Sequence, residues 1–381
     1  MSELLRKYAG MLQSLASQDL LRRLPNTAPG ARRIDFSGND YLGLAACPAL
    51  VEAAQEAGRL YGSGATGSRL LSGNTPLHEA FEARIARDKG SEAALIFTSG
   101  YQANAACIAA LLDRHTLEAE PLVFADRLNH ASMHLGCALA DARQVRYRHL
   151  DLDHLAELLY KHDDDPRPKF ILSETVFGMD GDQTDVVRLQ ELALAHGALL
   201  YLDEAHATGL FGPNGYGLTE ALELAPTTFV MGTLSKAVGV SGGYVACAQG
   251  LRDFIVNKAS GFIFSTAPSP LVVGAAMRAW ELLPGLQAER AILQENAQWL
   301  RSALNAAGYD TGTSTTHIVP IILGQADRTL AAKAKLAEQG IIVSAVRPPT
   351  VPQGTSRLRL GLSAAHSKAD LVALVEAMNG L

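Results

Sequence analysis

Two short segments carry residues whose types and spacing suit group-transfer chemistry. Asp203-Glu204-Ala205-His206 follows an apolar run at 198–202, and Thr233-Leu234-Ser235-Lys236 follows another at 228–231, with Gly239, Gly242 and Gly243 just beyond. A lysine amine can form an imine with an aldehyde, and a carboxylate can keep a ring nitrogen protonated. Pyridoxal 5'-phosphate asks for both, because its protonated ring is an electron sink for a carbanion. A third segment, Thr98-Ser99-Gly100-Tyr101-Gln102-Ala103-Asn104, follows the apolar run 93–97 and opens a helical pattern. The first N–H groups of such a helix and its dipole suit a phosphate, and Gly100 permits its close approach. His130, in Asn129-His130-Ala131-Ser132 after the run 121–125, supplies an imidazole able to stack on a flat ring. Singly, an Asp-Glu pair most often caps a helix and a lysine after a strand most often faces water. Serving both ends of one cofactor is what makes the combination informative.

Two other readings compete for the same residues. Gly62-Ser63-Gly64-Ala65-Thr66-Gly67 has the literal Gly-x-Gly-x-x-Gly spacing of a dinucleotide site, with Glu82 at about the right distance further on. Its context is wrong, since 48–60 is patterned as a helix rather than a strand. A flexible loop beside the active site is the better assignment, with Ser68 and Arg69 available to an anionic group. A nicotinamide-dependent oxidoreductase remains the alternative from another class. His130 and His134 at helical spacing raise a zinc site, but no His-Glu-x-x-His pattern or obvious third ligand accompanies them, so no metal is expected. Cys47, Cys107, Cys137 and Cys247 form no Cys-x-x-Cys pair and are expected to be reduced thiols.

The elements that must position these residues follow from hydrophobic patterning. Short apolar runs at 93–97, 121–125, 170–173, 198–202, 228–231 and 244–247 alternate with helical stretches, and 144–147 alternates polar and apolar like an edge strand. Continuous apolar strands between helices imply an α/β lobe whose mostly parallel sheet is covered on both faces. After Pro268 the pattern is helical to about 306, then strands near 318–323, 341–344 and 358–360 alternate with helices, as in a smaller α+β lobe. An amphipathic arm over the first residues, with Leu4, Leu5, Tyr8, Met11, Leu12 and Leu15 at helical spacing, leads into the body. The expected divisions are an arm and small-lobe segment at 1–45, a large cofactor-binding domain at 46–275 and a small domain at 276–381. In 381 residues, 48% hydrophobic and with a net charge of −6, there is no general electrostatic reason to bind nucleic acid or an anionic membrane. No apolar run reaches the ~20 residues of a membrane span, and the start lacks the apolar core of a signal peptide. A cytoplasmic location is the default expectation.

These segments together resemble the α-oxoamine synthase family of fold-type I pyridoxal-phosphate enzymes. The resemblance runs through Asn39-Asp40-Tyr41-Leu42-Gly43-Leu44, Gly62 to Asn74, Ser99 to Asn104, Asn129 to Ser132, Asp203 to Gly209, Thr233 to Gly243 and Phe264-Ser265-Thr266, nearly the whole chain. It implies that Lys236 carries the cofactor, Asp203 pairs with its ring nitrogen, His206 bonds the ring hydroxyl and His130 stacks on the ring. Gly100, Tyr101 and Thr233 would lie at the phosphate, and Ser265 and Thr266 would reach the phosphate of a partner subunit in a homodimer. Asn39, His130, Thr350, Arg359 and an N-terminal arginine, Arg22 or Arg23, would meet substrate. Two departures stand out: Gly178 is where many relatives have a serine near the cofactor, and Tyr101 is where phenylalanine is common. The segment Arg347-Pro348-Pro349-Thr350-Val351-Pro352, with Arg357-Leu358-Arg359-Leu360, resembles the members that join L-alanine to a pimeloyl thioester, on coenzyme A or acyl carrier protein, in biotin biosynthesis. Acyltransferases of the same family that use glycine are the near alternative.

Overall fold

The computed structural model describes residues 2–24 and 33–380. They form two compact units: Asp40–Gly178 with Gln183–Ala291, and Met1–Asn39 with Met179–Asp182 and Ile292–Leu381. The larger unit holds a seven-stranded sheet of β1 (Ala93–Phe97), β2 (Leu122–Asp126), β3 (Gln144–Tyr147), β4 (Lys169–Glu174), β5 (Leu199–Asp203), β6 (Thr228–Thr233) and β7 (Gly243–Cys247). Their spatial order is β1-β7-β6-β5-β4-β2-β3. The neighbours from β6 through β5, β4 and β2 to β3 pair in parallel, and β7 runs antiparallel between β1 and β6. All seven expected strands are present, and β3, the weakly patterned one, is the edge strand.

The central strands are apolar on successive residues because both faces are covered. Leu200 and Leu202 of β5 pack on one side with Leu155, Leu159 and Leu189. Tyr201, between them, faces the other layer with Phe97, Val123, Phe229, Met231 and the helix Gly100–Leu111. Strand alternation therefore places Asp203 on the Tyr201 face, toward that helix. Burying each such Leu or Phe side chain contributes roughly 1.5–3 kcal/mol.

The division into units departs from the sequence expectation at both ends, falling at 39/40 and at 291/292. Helix Pro270–Leu282 belongs with the larger unit because it lies on helix Pro48–Tyr61 and sends Trp280 inward. The Trp280 ring stacks on Tyr216 at 5.0 Å and its Nε1 donates to Asp88 at 3.0 Å. Helical periodicity reports an apolar face without saying which body that face meets.

In the smaller unit, Ser344–Val346, Ser356–Gly361 and Ile318–Gly324 form an antiparallel sheet, and Ile34–Asp35 pairs in parallel with Ile341–Ile342. Helix Glu3–Ser17 has no buried residue. The chain after it is tied in: Arg347 donates to the Asp19 carbonyl and Arg22 Nη2 donates to Thr350 Oγ1 at 3.2 Å. No helix among the described residues is long and apolar enough to cross a membrane.

Candidate active site

Five parallel strands, β1, β2, β4, β5 and β6, end at one edge of the large sheet, and every one delivers polar residues there. This is the edge at which open α/β sheets bind ligands. Lys236 follows β6 in a tight loop closed by Leu234 N–H to Gly242 O, 3.0 Å, and Val240 N–H to Leu234 O, 2.8 Å. Gly239 makes this loop possible: its φ is +74°, and a Cβ there would stand 2.6 Å from Ala45 N. The half-buried Lys236 points Nζ at His206 Nε2, 2.7 Å away, and the other ring nitrogen of His206 lies 2.9 Å from Tyr41 Oη.

Asp203 ends β5 with only 3% of its surface exposed. Its Oδ1 accepts the Ala205 N–H at 2.8 Å and its Oδ2 accepts Asn104 Nδ2 at 2.7 Å. Asn104 is itself fixed, accepting Tyr201 Oη at 2.8 Å and donating to Ser132 Oγ at 2.9 Å. Ser132 Oγ lies 2.7 Å from His130 Nδ1, so one chain of bonds runs from Asp203 to His130. Asn129 clamps this loop to β4, donating to Leu172 O at 2.9 Å. His130 keeps solvent-accessible surface, yet the protein around it removes enough water to hold its imidazole below the ordinary value; Lys236 adds repulsion and Asp203 opposes it. Tyr101 meets the His130 ring edge-on at 6.1 Å.

Glu174 ends β4 directly beside Asp203 in the parallel register. Burial and then repulsion from Asp203 push its carboxyl well above the usual range, against the pull of Lys236 and the His130 N–H. That shift favours the neutral form of Glu174.

The residues fit pyridoxal phosphate. Helix Gly100–Leu111 begins at this edge with Ser99 as its cap, accepting the Gln102 N–H at 3.1 Å. Its first N–H groups have no acceptor within the helix. Gly100 keeps the space before them clear, since a Cβ there would stand 3.3 Å from Thr233 Cβ. Thr233 Oγ1 bonds Ser235 Oγ at 2.8 Å and Gly242 O at 3.0 Å. Ser265 and Thr266 line a small recess with Thr98, Gln102 and Arg69. A phosphate cradle, an amine and a buried carboxylate thus share one edge.

One sequence expectation needs correction. Arg69 is not available to a ligand: it is buried, with its two Nη atoms 2.7 and 3.0 Å from the Glu82 oxygens and Nε 2.7 Å from Asn74 Oδ1. Glu82, the apparent ribose ligand of the glycine-rich segment, is consumed by the same pair, and that segment follows the helix Pro48–Tyr61. The dinucleotide spacing is therefore fortuitous. His134 lies with Nδ1 2.8 Å from Gln144 Oε1.

Arg22, Asn39, Thr350 and Arg359 all belong to the smaller unit. Arg22, rather than Arg23, is the arginine bonded to Thr350. Arg359 is buried on strand Ser356–Gly361, two residues from Arg357, which pairs with Asp180. Tyr41, Ser132, Tyr201 and Glu174, and the bond of Asn104 to Asp203, carry no signal that local spacing offered: Tyr41 meets His206 across 165 residues. Asn104 falls one helical turn after Gly100, and that periodicity is the one cue to its direction.

Residues 31–378 match the family described as aminotransferase class I and II. The 8-amino-7-oxononanoate synthase of Gluconacetobacter diazotrophicus is 48% identical over 92% of this chain and 88% of its own. That of Geobacter sulfurreducens is 44% identical over 98% of this chain and 97% of its own. A serine palmitoyltransferase from S. paucimobilis with bound pyridoxal phosphate and myriocin superimposes with a TM-score of 0.90 at 29% identity, over 100% of this chain and 98% of that one. With a cofactor-shaped sheet edge and near full-length identity pointing the same way, the chain belongs to the pyridoxal-phosphate-dependent class I and II aminotransferase family and, within it, to the 8-amino-7-oxononanoate synthases.

Proposed function

We propose that this protein catalyses the decarboxylative condensation of L-alanine with a pimeloyl thioester, on coenzyme A or acyl carrier protein, to 8-amino-7-oxononanoate in biotin biosynthesis. Lys236 Nζ, held 2.7 Å from His206 at the sheet edge where Asp203 is buried, carries the assignment of the cofactor site. The names of the full-length relatives support the choice of substrates.

Bound pyridoxal phosphate would supply the electron sink that makes the alanine Cα–H acidic. Lys236 would hold it through Nζ, and the same nitrogen would be the base that receives the alanine Cα proton. Asp203, with one oxygen fixed by Asn104 and the other by the Ala205 N–H, is the carboxyl group that would face the ring nitrogen. His206 would address the ring hydroxyl, and His130, oriented through Ser132, would cover the ring face. Gly100, Tyr101 and Thr233 would hold the phosphate at the helix start. Gly178 would line the cofactor with backbone alone.

In the smaller unit, Arg359 is assigned to the alanine carboxylate, and Asn39, Arg22 and Thr350 to substrate. The bond between Arg22 and Thr350 supports their acting together. A homodimer is proposed as the working form, with Ser265 and Thr266 serving the partner's phosphate. Phe264 beside them and Leu71 are each 84% exposed, large apolar surfaces that a second copy would cover. The reaction is placed in the cytoplasm.

Turnover by the purified protein decides between this reaction and its near alternative. Alanine should be preferred to glycine, and pimeloyl-CoA or pimeloyl-acyl carrier protein to acetyl-CoA. A preference for glycine with acetyl-CoA would assign the protein to a sister acyltransferase. A colourless protein whose spectrum ignores borohydride would end the cofactor reading altogether.

A further inference from the structure

Gly178 lies buried in the loop after β4. It is not among the glycines with positive φ, so its backbone is one that any residue can adopt. What the missing side chain provides is space. A Cβ at this position would stand 2.4 Å from His206 Nε2, 3.0 Å from Cδ2 and 3.2 Å from Cε1. The imidazole cannot move aside cheaply, because it is 7% exposed and held between Tyr41 Oη at 2.9 Å and Lys236 Nζ at 2.7 Å.

We propose that Gly178 is a positioning residue for Lys236 acting through His206: its bare backbone admits the imidazole that turns Nε2 to the lysine nitrogen and Nδ1 to Tyr41. This rests on Lys236 being the cofactor lysine. Where the lysine nitrogen donates, Nε2 accepts and Nδ1 carries the hydrogen given to Tyr41. An acceptor at this distance favours the protonated form of the lysine nitrogen. A side chain at 178 drives the ring off that position and removes the preference.

The test is a pH titration of the visible absorbance of the bound cofactor, without substrates, in wild-type holoenzyme and in Gly178→Ala, Gly178→Ser, His206→Ala and the Gly178→Ala/His206→Ala double variant. Gly178→Ala and Gly178→Ser should lower the midpoint by about one pH unit, the scale of one hydrogen bond to a charged group. In the His206→Ala background, Gly178→Ala should add nothing, because the atoms it strikes are gone. Should Gly178→Ala alone lose its fold or its cofactor, the double variant should recover both, as measured by circular dichroism and cofactor content. An unchanged or raised midpoint, an equal shift in both backgrounds, or a double variant that stays unfolded overturns the proposal. A wild-type protein without the visible band overturns both this and the cofactor reading, whereas a coloured protein indifferent to residue 178 overturns this alone.

Discussion

Two lysines of the large unit, Lys89 and Lys236, are held in opposite ways, although the acidic residues Asp203 and Glu204 that accompany them are adjacent in the chain. Lys89 is completely buried, and its three donors are consumed by the Glu204 carboxylate, Tyr216 O at 2.7 Å and Thr219 Oγ1 at 2.7 Å. Glu204 is equally satisfied, accepting the Thr219 N–H at 2.8 Å and its hydroxyl at 3.0 Å. Lys236 is half-buried and faces an imidazole, while Asp203 turns to Asn104 instead of to a lysine. A carboxylate locks an ammonium in place as a structural ion; an imidazole holds the same group in position and leaves it free to exchange its proton. Chain adjacency of the two acids makes the distinction one of sheet face, not of sequence neighbourhood.

The comparison breaks most sharply at Lys236. Replacing it by alanine should abolish the stable yellow colour and lower kcat by about 10²–10⁴ from the lost base alone. A Lys236→Ala protein that turned over alanine at the normal rate would dissolve the contrast. Lys89→Ala should act on stability instead: it strands Glu204 without its counter-charge in a dry site, at a cost of roughly 3–5 kcal/mol. Urea unfolding measures this, and whatever folds should keep the cofactor and its spectrum. Loss of the cofactor with unchanged stability would mean that Lys89 belongs to the site after all.

The smallest effect is in pH. His78, His130, His134 and His366 are all held below their ordinary value, chiefly by burial. Between the folded and unfolded values only the unfolded chain binds these protons, so stability is present above the unfolded value of 6.5 and is lost as pH falls below it. Glu174 works in the other sense, since its raised value favours the folded state on the acid side and that advantage fades as pH rises above 4.5. Urea midpoints taken from about pH 7 to about pH 5 isolate the histidine part when wild type is compared with His130→Asn, which should lose less stability on acidification. A slope unaffected by His130→Asn would show that the site histidine contributes nothing to it.

Much of this arrangement was legible in the residues. The strands were, because a sheet covered on both faces needs unbroken apolar runs, and the edge carrying Lys236, Asp203 and His130 follows from where those runs stop. Arg69 was not: it is a polar residue in a glycine-rich loop, and only its burial against Glu82 removes it from the list of ligands. Helix Pro270–Leu282 was visible as a helix and invisible as a member of the large unit.

The sequence by itself determined the kind of chemistry, since an amine, a carboxylate and a helix-start phosphate cradle at successive strand ends are set by local pattern. Only the tertiary structure decided which groups face one another. Tyr41 at His206, Asn104 at Asp203 and the empty space at Gly178 that admits His206 are contacts between segments far apart in the chain. Hydrogen bonding and close packing act over a few ångströms of space, and the order of residues along a chain does not specify those distances until the sheet brings its strand ends together.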